Sequence, residues 1–337
     1  MRGRRTLGRG LDRLFELVPR GVELAALRSL VEDDLVDDAA LSEIVGQGAG
    51  FVGRSDIPRM RPILVAVAAR AAGASAVDQE AQHAAELLHL ALRIHDVALG
   101  REGGKRRRVA RRLARSLGWL TGNHLTLRAL ELSRHSAPGV LEELLDALRD
   151  FSEAQALSRE LVGAVPSDDD WLDHADAHTG ALFAFCCRAG GHLAGAGSRE
   201  LLALGRYGRH VGRLWHIAED VSVLDHGEPA LHLAARAMAG RPVLPVVFAS
   251  EADPAVGELW CRLAHEGEPS DARKLAERLR ALGVPASREV MLQESWRARR
   301  AVRLLPPSRY RAAMERLAAE LARAGARKRA AVLTPSA

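Results

Sequence analysis

Aromatic residues are scarce in this 337-residue sequence, and it has neither a long apolar run nor a useful length of strand-like alternation. Phe, Trp and Tyr together make up 4% of the chain, whereas Ala, Leu, Arg and Glu dominate, which favours helices over sheets. No apolar run approaches the ~20 residues that a membrane-spanning helix requires. The 47% hydrophobic content supports a sizeable core. We therefore expect an all-α globular protein without a membrane span.

Cysteine is also rare, which excludes two further classes of protein. The three cysteines, Cys186, Cys187 and Cys261, are odd in number, and two of them are adjacent. No pair has the spacing of zinc ligands, so neither a disulfide framework nor a zinc site is indicated. Residues 1–10 are basic but contain no apolar stretch of the kind found in secretory signals. These features predict a cytoplasmic protein with reduced cysteines in its core.

Arginine runs give the chain a formal net charge of +5 and a pI near 9.6. The runs lie near residues 2–9, 105–112 and 323–329. Such charge suits a diphosphate, a nucleic acid or an anionic membrane surface, and solvated surface arginines are the simpler alternative. Aromatic residues are not interleaved with the runs as they are in single-strand binders, so nucleic acid is the least favoured of these partners.

Helical periodicity continues through nearly all segments of the chain. Ser167 followed by three aspartates is typical of a helix start, because the hydroxyl caps backbone N–H groups and the acids favour the N-terminal dipole. Glycines near positions 118 and 122 predict an interruption in a helix over 111–132, and residues 100–112 read as a charged loop. The pattern predicts a single all-α domain of about a dozen helices.

Six segments then occur in a recognisable order. Residues 58–62 read Pro-Arg-Met-Arg-Pro, residues 86–96 begin Glu-Leu-Leu-His and end Ile-His-Asp, and residues 120–125 read Leu-Thr-Gly-Asn-His-Leu. Residues 178–183 read His-Thr-Gly-Ala-Leu-Phe, residues 207–220 begin Tyr-Gly and end Ile-Ala-Glu-Asp, and residues 240–245 read Gly-Arg-Pro-Val-Leu-Pro. In this order they resemble trans-polyprenyl diphosphate synthases over roughly residues 20–325.

The resemblance implies the isoprenoid synthase fold, in which helices surround a central cavity. It places a basic arm at residues 1–20, the all-α domain at 21–325 and a basic tail at 326–337. Members of that family extend an allylic diphosphate with isopentenyl diphosphate. Two Asp-Asp-x-x-Asp motifs on facing helices hold their Mg²⁺ ions, which neutralise the departing diphosphate.

Only three of the six carboxylates in those two motifs remain here: Asp96, Glu219 and Asp220. The other positions are taken by Val97, Gly100 and Val223. Because these side chains cannot bind a cation, the resemblance predicts a residual magnesium site that is weak or absent. The alternative is that the remaining carboxylates pair with nearby arginines.

The diphosphate-binding residues are kept in part. The resemblance assigns this role to Arg61, His89 and Arg241, and to an arginine pair near Arg106 and Arg107. Lysines of the family are replaced at Pro58, His178 and near Leu231. His174 and His178 have a spacing that permits metal binding, but without a third ligand in view they are more simply core histidines.

The floor of the product cavity falls at Ala91 and Leu92 in the resemblance, where no aromatic residue blocks it. A deep cavity for a long prenyl chain is one possibility, and filling by core side chains is the other. Apolar residues within 113–132, including Leu113, Leu117, Leu120 and Leu125, predict the dimer contact of the family.

Three functions remain open at this point. The favoured one is a pseudoenzyme: a non-catalytic or weakly active prenyl-diphosphate binder, or a regulatory subunit that pairs with itself or with an intact paralogue. The second is a working prenyltransferase with a reduced metal site. The third is a helical interaction scaffold that binds no ligand.

Overall fold

A computed structural model describes residues 60–99, 108–226 and 229–324, and at 96–99, 108–118, 121, 225–226 and 324 it describes the backbone alone. These residues form thirteen α-helices and no strand, which confirms the all-α prediction. The helices are α1 Met60–Ala71, α2 Gln79–Leu99, α3 Arg108–His135, α4 Val140–Glu160, α5 Asp168–Ala175, α6 Ala181–Leu193, α7 Ser198–His226, α8 Pro229–Met238, α9 Leu244–Ala252, α10 Pro254–Glu266, α11 Pro269–Arg278, α12 Val284–Ala301 and α13 Arg309–Ala324. The predicted arm at 1–20 and tail at 326–337 lie outside the described residues.

Helix α6 lies at the centre of the domain, where it packs against α1, α4 and α7. Its run from Ala181 to Cys187 is completely buried, and both Cys186 and Cys187 are free thiols in the core. Burial raises the pKa of both thiols, so they are uncharged packing groups. The sequence-based interpretation of these two cysteines as core residues is therefore consistent with the fold.

Two glycines allow the helices around α6 to approach closely. A Cβ at Gly190 of α6 would lie 2.5 Å from the carbonyl oxygen of Val65 in α1. A Cβ at Gly208 of α7 would lie 2.5 Å from the Cα of Ala184 in α6. Because backbone blocks both positions, any larger residue would push these helices apart. The central helices are thus held at short range, and the site described below lies on them.

Helices α5 and α6 form one continuous rod with a π-helical turn, Asp176–Gly180, between them. The rod begins as the sequence predicts, because the Ser167 hydroxyl accepts a hydrogen bond from the Asp170 N–H and the Asp170 carboxylate accepts one from the Ser167 N–H. The π turn adds a residue to the helical register in the segment that carries His178 and Thr179. A second π turn, Leu279–Gly283, joins α11 to α12 in the same way.

The sequence-based prediction for α3 was wrong in two respects. The helix begins at Arg108, inside the segment expected to be a charged loop, and it continues without a break through both glycines. The reason at Gly122 is packing: a Cβ there would lie 2.3 Å from Nε2 of His95 in α2. Because Gly122 has no side chain, the His95 imidazole fits between the two closely packed helices. The glycine therefore allows α2 and α3 to pack together and does not end the helix.

Candidate functional site

The first residue of the candidate site is Arg61, which lies in the first turn of α1. Its guanidinium lies 5.4 Å from the ring centroid of Phe183 and 5.6 Å from that of Trp215, which places it between α6 and α7. The side chain is buried, and burial lowers its pKa, while Glu86 of α2 and Glu219 of α7 oppose that shift. Arg61 therefore brings a positive charge to the place where α1, α2, α6 and α7 meet.

Asp220 of α7 is completely buried and hydrogen-bonded to two side chains of α8. Its Oδ1 accepts hydrogen bonds of 3.0 Å from Nε2 of His232 and of 3.0 Å from Nη2 of Arg236, both in α8. Burial alone would raise the pKa of Asp220, but the charge of Arg236 and the hydrogen bond from His232 lower it below its ordinary value. Protein side chains thus neutralise the carboxylate.

Glu219 is exposed and points away from Asp220. Consecutive residues on an α-helix are about 100° apart, so these two carboxylates do not share one face. The Oε1 atom of Glu219 accepts a hydrogen bond of 2.8 Å from Nε1 of Trp215, one turn earlier in α7. The adjacent acids that the sequence presented as a pair therefore have different partners and different surroundings.

The described side chains do not fit the family's magnesium cluster. Among them, no three His, Cys, Asp or Glu residues are arranged to hold a metal ion. The Oδ1 atom of Asp220 already accepts two hydrogen bonds, one of them from an arginine. The position of Asp96 is in α2, but its side chain lies outside the described residues. The residual site at Asp96, Glu219 and Asp220 stays a prediction, and the pairing of Asp220 with arginine agrees with the alternative to it.

Three histidines from two helical segments lie together beside Asp220, and we call them the histidine cluster: His174, His178 and His216. The ring centroids are 5.2 Å apart for His174 and His178, 5.8 Å for His174 and His216, and 6.3 Å for His178 and His216. Nδ1 of His216 lies 3.1 Å from the hydroxyl of Thr179. Neither ring nitrogen of His174 has a hydrogen-bond partner in the part of the chain that the structure describes.

Two residues of the histidine cluster, His174 and His216, are uncharged at neutral pH. Burial, followed by the positive charges of Arg236 and other neighbours, lowers the pKa of His216 to about 3. Burial also lowers the pKa of His174 well below its ordinary value, helped by the other two histidines. The third residue, His178, is partly buried and stands where the resemblance would have a lysine. Two neutral imidazoles therefore lie beside the position at which the resemblance has a cation.

His89 of α2 lies close enough to Arg61 and His178 for their charges to act on it. Desolvation lowers its pKa well below the ordinary value, and Arg61, Arg93 and His178 add to the shift. The imidazole is thus uncharged at neutral pH and able to donate one hydrogen bond to an oxygen. Its electrostatic coupling to Arg61 and His178 supports the predicted grouping of α1, α2 and the π turn around one site.

The remaining predicted residues fall in three groups. Arg241 precedes α9, is partly buried, and its charge acts on His174 and His216. Ala91 and Leu92 are buried, and Leu92 belongs to the main hydrophobic core. Arg106 and Arg107 lie outside the described residues. Sequence reasoning missed His232 and Arg236, which hold Asp220, and it missed the joining of His216 to the other two histidines.

Residues 58–277 match the family described as polyprenyl synthetase. The chain belongs to the polyprenyl synthetase family. It is 25% identical over 263 residues to the decaprenyl-diphosphate synthase of Dictyostelium discoideum, a match that covers 75% of this chain and 57% of that relative. It is 26% identical over 320 residues to the all-trans-nonaprenyl-diphosphate synthase of Rhodobacter capsulatus, covering 89% and 94% of the two chains. The chain therefore spans little more than half the length of the Dictyostelium relative.

A solved structure supports the same family and fold. The polyprenyl synthase of Caulobacter crescentus, complexed with calcium and isoprenyl diphosphate, is 26% identical, with a TM-score of 0.66 over 92% of this chain and 97% of that chain. The resemblance drawn from the six sequence segments is confirmed, as is the isoprenoid synthase fold. Within the described residues, no helix is long and apolar enough to cross a membrane.

The burial of His174 and His216 predicts a loss of stability on mild acidification. Their pKa values are lower in the folded protein than in an unfolded chain, so their contribution is complete above about pH 6.5 and declines as the pH falls. From pH 7 to pH 5 we expect the free energy of unfolding to fall by about 2 kcal/mol through His216, and His174 should lower it further in the same direction. Urea unfolding at a series of pH values measures this.

A matched pair of variants makes the pH experiment specific. His174→Phe should reduce the pH dependence between pH 7 and 5, whereas His124→Gln, at an exposed position of α3, should leave it unchanged. The lowered pKa of Asp220 affects stability in a separate, more acidic pH range. Its stabilising contribution is lost only when the pH falls below 3.8, the ordinary pKa of an aspartate. Equal slopes for the wild type and His174→Phe would contradict the assignment.

Proposed function

We propose that this protein binds prenyl diphosphates without the magnesium cluster of its family and has little or no synthase activity of its own. It acts as a prenyl-diphosphate binder or as the regulatory subunit of an isoprenoid synthase. The observation that carries this proposal is the pairing of Asp220 with Arg236 and His232. The Arg236 guanidinium and the His232 imidazole both bond to one oxygen, Oδ1, and the arginine compensates the negative charge of the carboxylate without a metal ion.

The charges around the site support direct binding of a diphosphate. Arg61, Arg236 and Arg241 come from three different segments, and the charges of the last two act together on His174 and His216. Arginine recognises phosphate oxygens through paired N–H groups, and such charge-assisted hydrogen bonds are stronger than neutral ones. His89 supplies a neutral N–H donor beside Arg61. This basic charge supports the binding of an anionic headgroup without a metal, with Arg61 and Arg241 as the proposed contacts and Arg236 shared with Asp220.

Calorimetric titration with farnesyl diphosphate tests the proposal. We expect binding in excess EDTA to be within about threefold of binding in magnesium, because the headgroup contacts come from arginine. Arg61→Gln should weaken binding at least about tenfold, since a hydrogen bond to a charged group is worth about 1.5–3 kcal/mol. Arg149→Gln is the control, because that arginine is exposed and pairs only with Asp146 on the surface of α4.

The two other functions are separable in the same titration. Binding that requires magnesium would favour a working prenyltransferase with a reduced site, a function that the synthase names of the relatives keep open. A complete lack of binding, with the protein folded by circular dichroism, would favour the helical scaffold. Binding that Arg61→Gln and Arg149→Gln affect equally would place the ligand elsewhere.

The subunit role is supported by an exposed apolar face on α3. Trp119, Leu120 and Leu127 are 41%, 63% and 60% exposed, whereas Leu125 is buried. The side chains of Leu113 and Leu117 lie outside the described residues. Side chains this apolar are rarely left in water on a single helix, and a partner helix would cover them. We expect sedimentation velocity to show a dimer, either of this chain or with a paralogue, and Leu120→Glu with Leu127→Glu to dissociate it.

A further inference from the structure

A second exposed face combines apolar and basic side chains, and it is far from α3 in the chain. Leu292 and Trp296 of α12 are each 56% exposed, and Leu304, just after the helix, is 48% exposed. Arg299, Arg300 and Arg303 are exposed beside them. We call these six residues the Trp-Arg stripe.

The helical spacing aligns four of the six residues along one side of α12. Positions 299 and 300 come three and four residues after 296, which comes four after 292, so these side chains share one face. Arg303 and Leu304 follow in the 3-10 turn Val302–Leu304 that continues the helix. The opposite face of the helix is buried through Met291, Ser295 and Ala298 and packs against α7 and α13. The stripe is consequently directed outward, and Glu289, one turn before Leu292, marks its acidic N-terminal limit.

The arginines of the stripe form no ion pair with any of the side chains that the structure describes. Within the described residues, Arg299, Arg300 and Arg303 have no carboxylate partner, whereas the neighbouring Arg297 bonds to Glu294 at 2.5 Å. Arg300 lies 5.2 Å from the ring centroid of Trp296, so the cation and the aromatic face form one unit. Three positive charges are therefore available to an anionic partner next to a large exposed aromatic ring.

We propose that the Trp-Arg stripe docks the protein on an anionic lipid bilayer. Tryptophan and leucine insert at the boundary between headgroups and acyl chains, and arginines beside them bind lipid phosphates. The stripe has both components on one helix face. A site for a prenyl diphosphate in the same molecule is not needed for this docking, and the inference does not depend on the proposed function.

Two other occupants fit less well. A second copy of the chain meeting the same face across a twofold axis would bring arginines against arginines, which is repulsive. A single-stranded nucleic acid would use the arginines and stack on Trp296, but it would leave Leu292 and Leu304 without a role. A bilayer uses both the charge and the apolar side chains.

Vesicle sedimentation tests the proposal on the full chain. We expect binding to phosphatidylcholine vesicles that contain phosphatidylglycerol, and at least about tenfold weaker binding to phosphatidylcholine alone. The triple variant Arg299→Gln, Arg300→Gln, Arg303→Gln should bind roughly a hundredfold more weakly, since each arginine near an anionic surface contributes about fivefold. Trp296→Ala should weaken binding about tenfold through the lost insertion of the ring.

Matched controls separate the stripe from general basicity. Arg199→Gln, Arg206→Gln, Arg273→Gln removes the same charge from exposed arginines elsewhere, and Leu202→Ala removes an exposed apolar side chain of α7. Both should keep most of the vesicle binding. Equal losses in the control and stripe variants would overturn the proposal, and so would no vesicle binding by the wild type. Tighter binding of polyuridylic acid, sensitive to the same stripe variants, would assign the face to nucleic acid instead.

Discussion

Incubated alone with isopentenyl diphosphate, farnesyl diphosphate and magnesium, this protein is expected to form product at least about a thousandfold more slowly than an intact synthase of its family. The reaction separates a diphosphate anion from a carbocation, and in the family magnesium ions held by six carboxylates normally neutralise the departing anion. The resemblance assigns Val97, Gly100 and Val223 to three of those six positions. Asp220 is paired with Arg236 instead. Each ~1.4 kcal/mol of lost stabilisation is tenfold in rate.

A radiolabelled condensation assay measures this, with Asp220→Ala as the comparison. If the wild type and Asp220→Ala have the same trace activity, the carboxylate has no catalytic part. Robust magnesium-dependent synthesis that Asp220→Ala abolishes would overturn the pseudoenzyme proposal and establish a prenyltransferase with a reduced metal site. Product formed only after adding a paralogous synthase would support the regulatory-subunit role.

The pairing of Asp220 also changes how the missing ligands should be restored. Val97→Asp, Gly100→Asp and Val223→Asp are expected to raise magnesium affinity. The rise in magnesium affinity should be larger when Arg236→Gln is added, because that change frees Asp220 from its guanidinium partner. Calorimetric titration with magnesium distinguishes the triple variant from the quadruple one.

Arg236→Gln in the otherwise natural chain is expected to lower the free energy of unfolding by about 3 kcal/mol or more. The change leaves Asp220, whose side chain is completely buried, with His232 as its one remaining hydrogen-bond donor. A buried carboxylate without its countercharge is strongly destabilising, because it has lost water and gained no equivalent partner. Urea unfolding at pH 7 measures the loss.

Two further variants show whether charge is the cause. Adding Asp220→Asn to Arg236→Gln should recover most of the lost stability, since the uncompensated charge is removed. Arg128→Gln is the matched control: that arginine also bonds to a carboxylate, Glu131 at 2.8 Å, but both side chains are more than half exposed. It should leave the stability nearly unchanged, because water screens an exposed ion pair. Similar losses for Arg236→Gln and Arg128→Gln would contradict the buried-pair argument.

Much of the local structure follows from the sequence. Ser167 and Asp170 define the start of α5 through contacts within four residues, so the pattern that predicted the cap is the interaction that forms it. The apolar run that centres α6 in the core is equally a property of neighbouring residues. Glycine predicts helix ends less reliably. From the sequence Gly122 indicates a break in the helix, whereas the structure shows that His95 packs against it. Whether a glycine ends a helix or admits a neighbour depends on a residue from another helix.

The sequence by itself determined that the chain is all-α and that it resembles the polyprenyl synthetases, and it predicts that half of the expected magnesium ligands are replaced. These conclusions rest on composition, short-range periodicity and ordered motifs. Only the tertiary structure decided what became of Asp220, because its partners His232 and Arg236 come from the next helix and their approach depends on how α8 packs on α7. The histidine cluster likewise joins His216 to residues near position 174. Burial in that packed core makes His174 and His216 neutral, and the packing of α8 supplies the arginine that pairs with the Asp220 carboxylate.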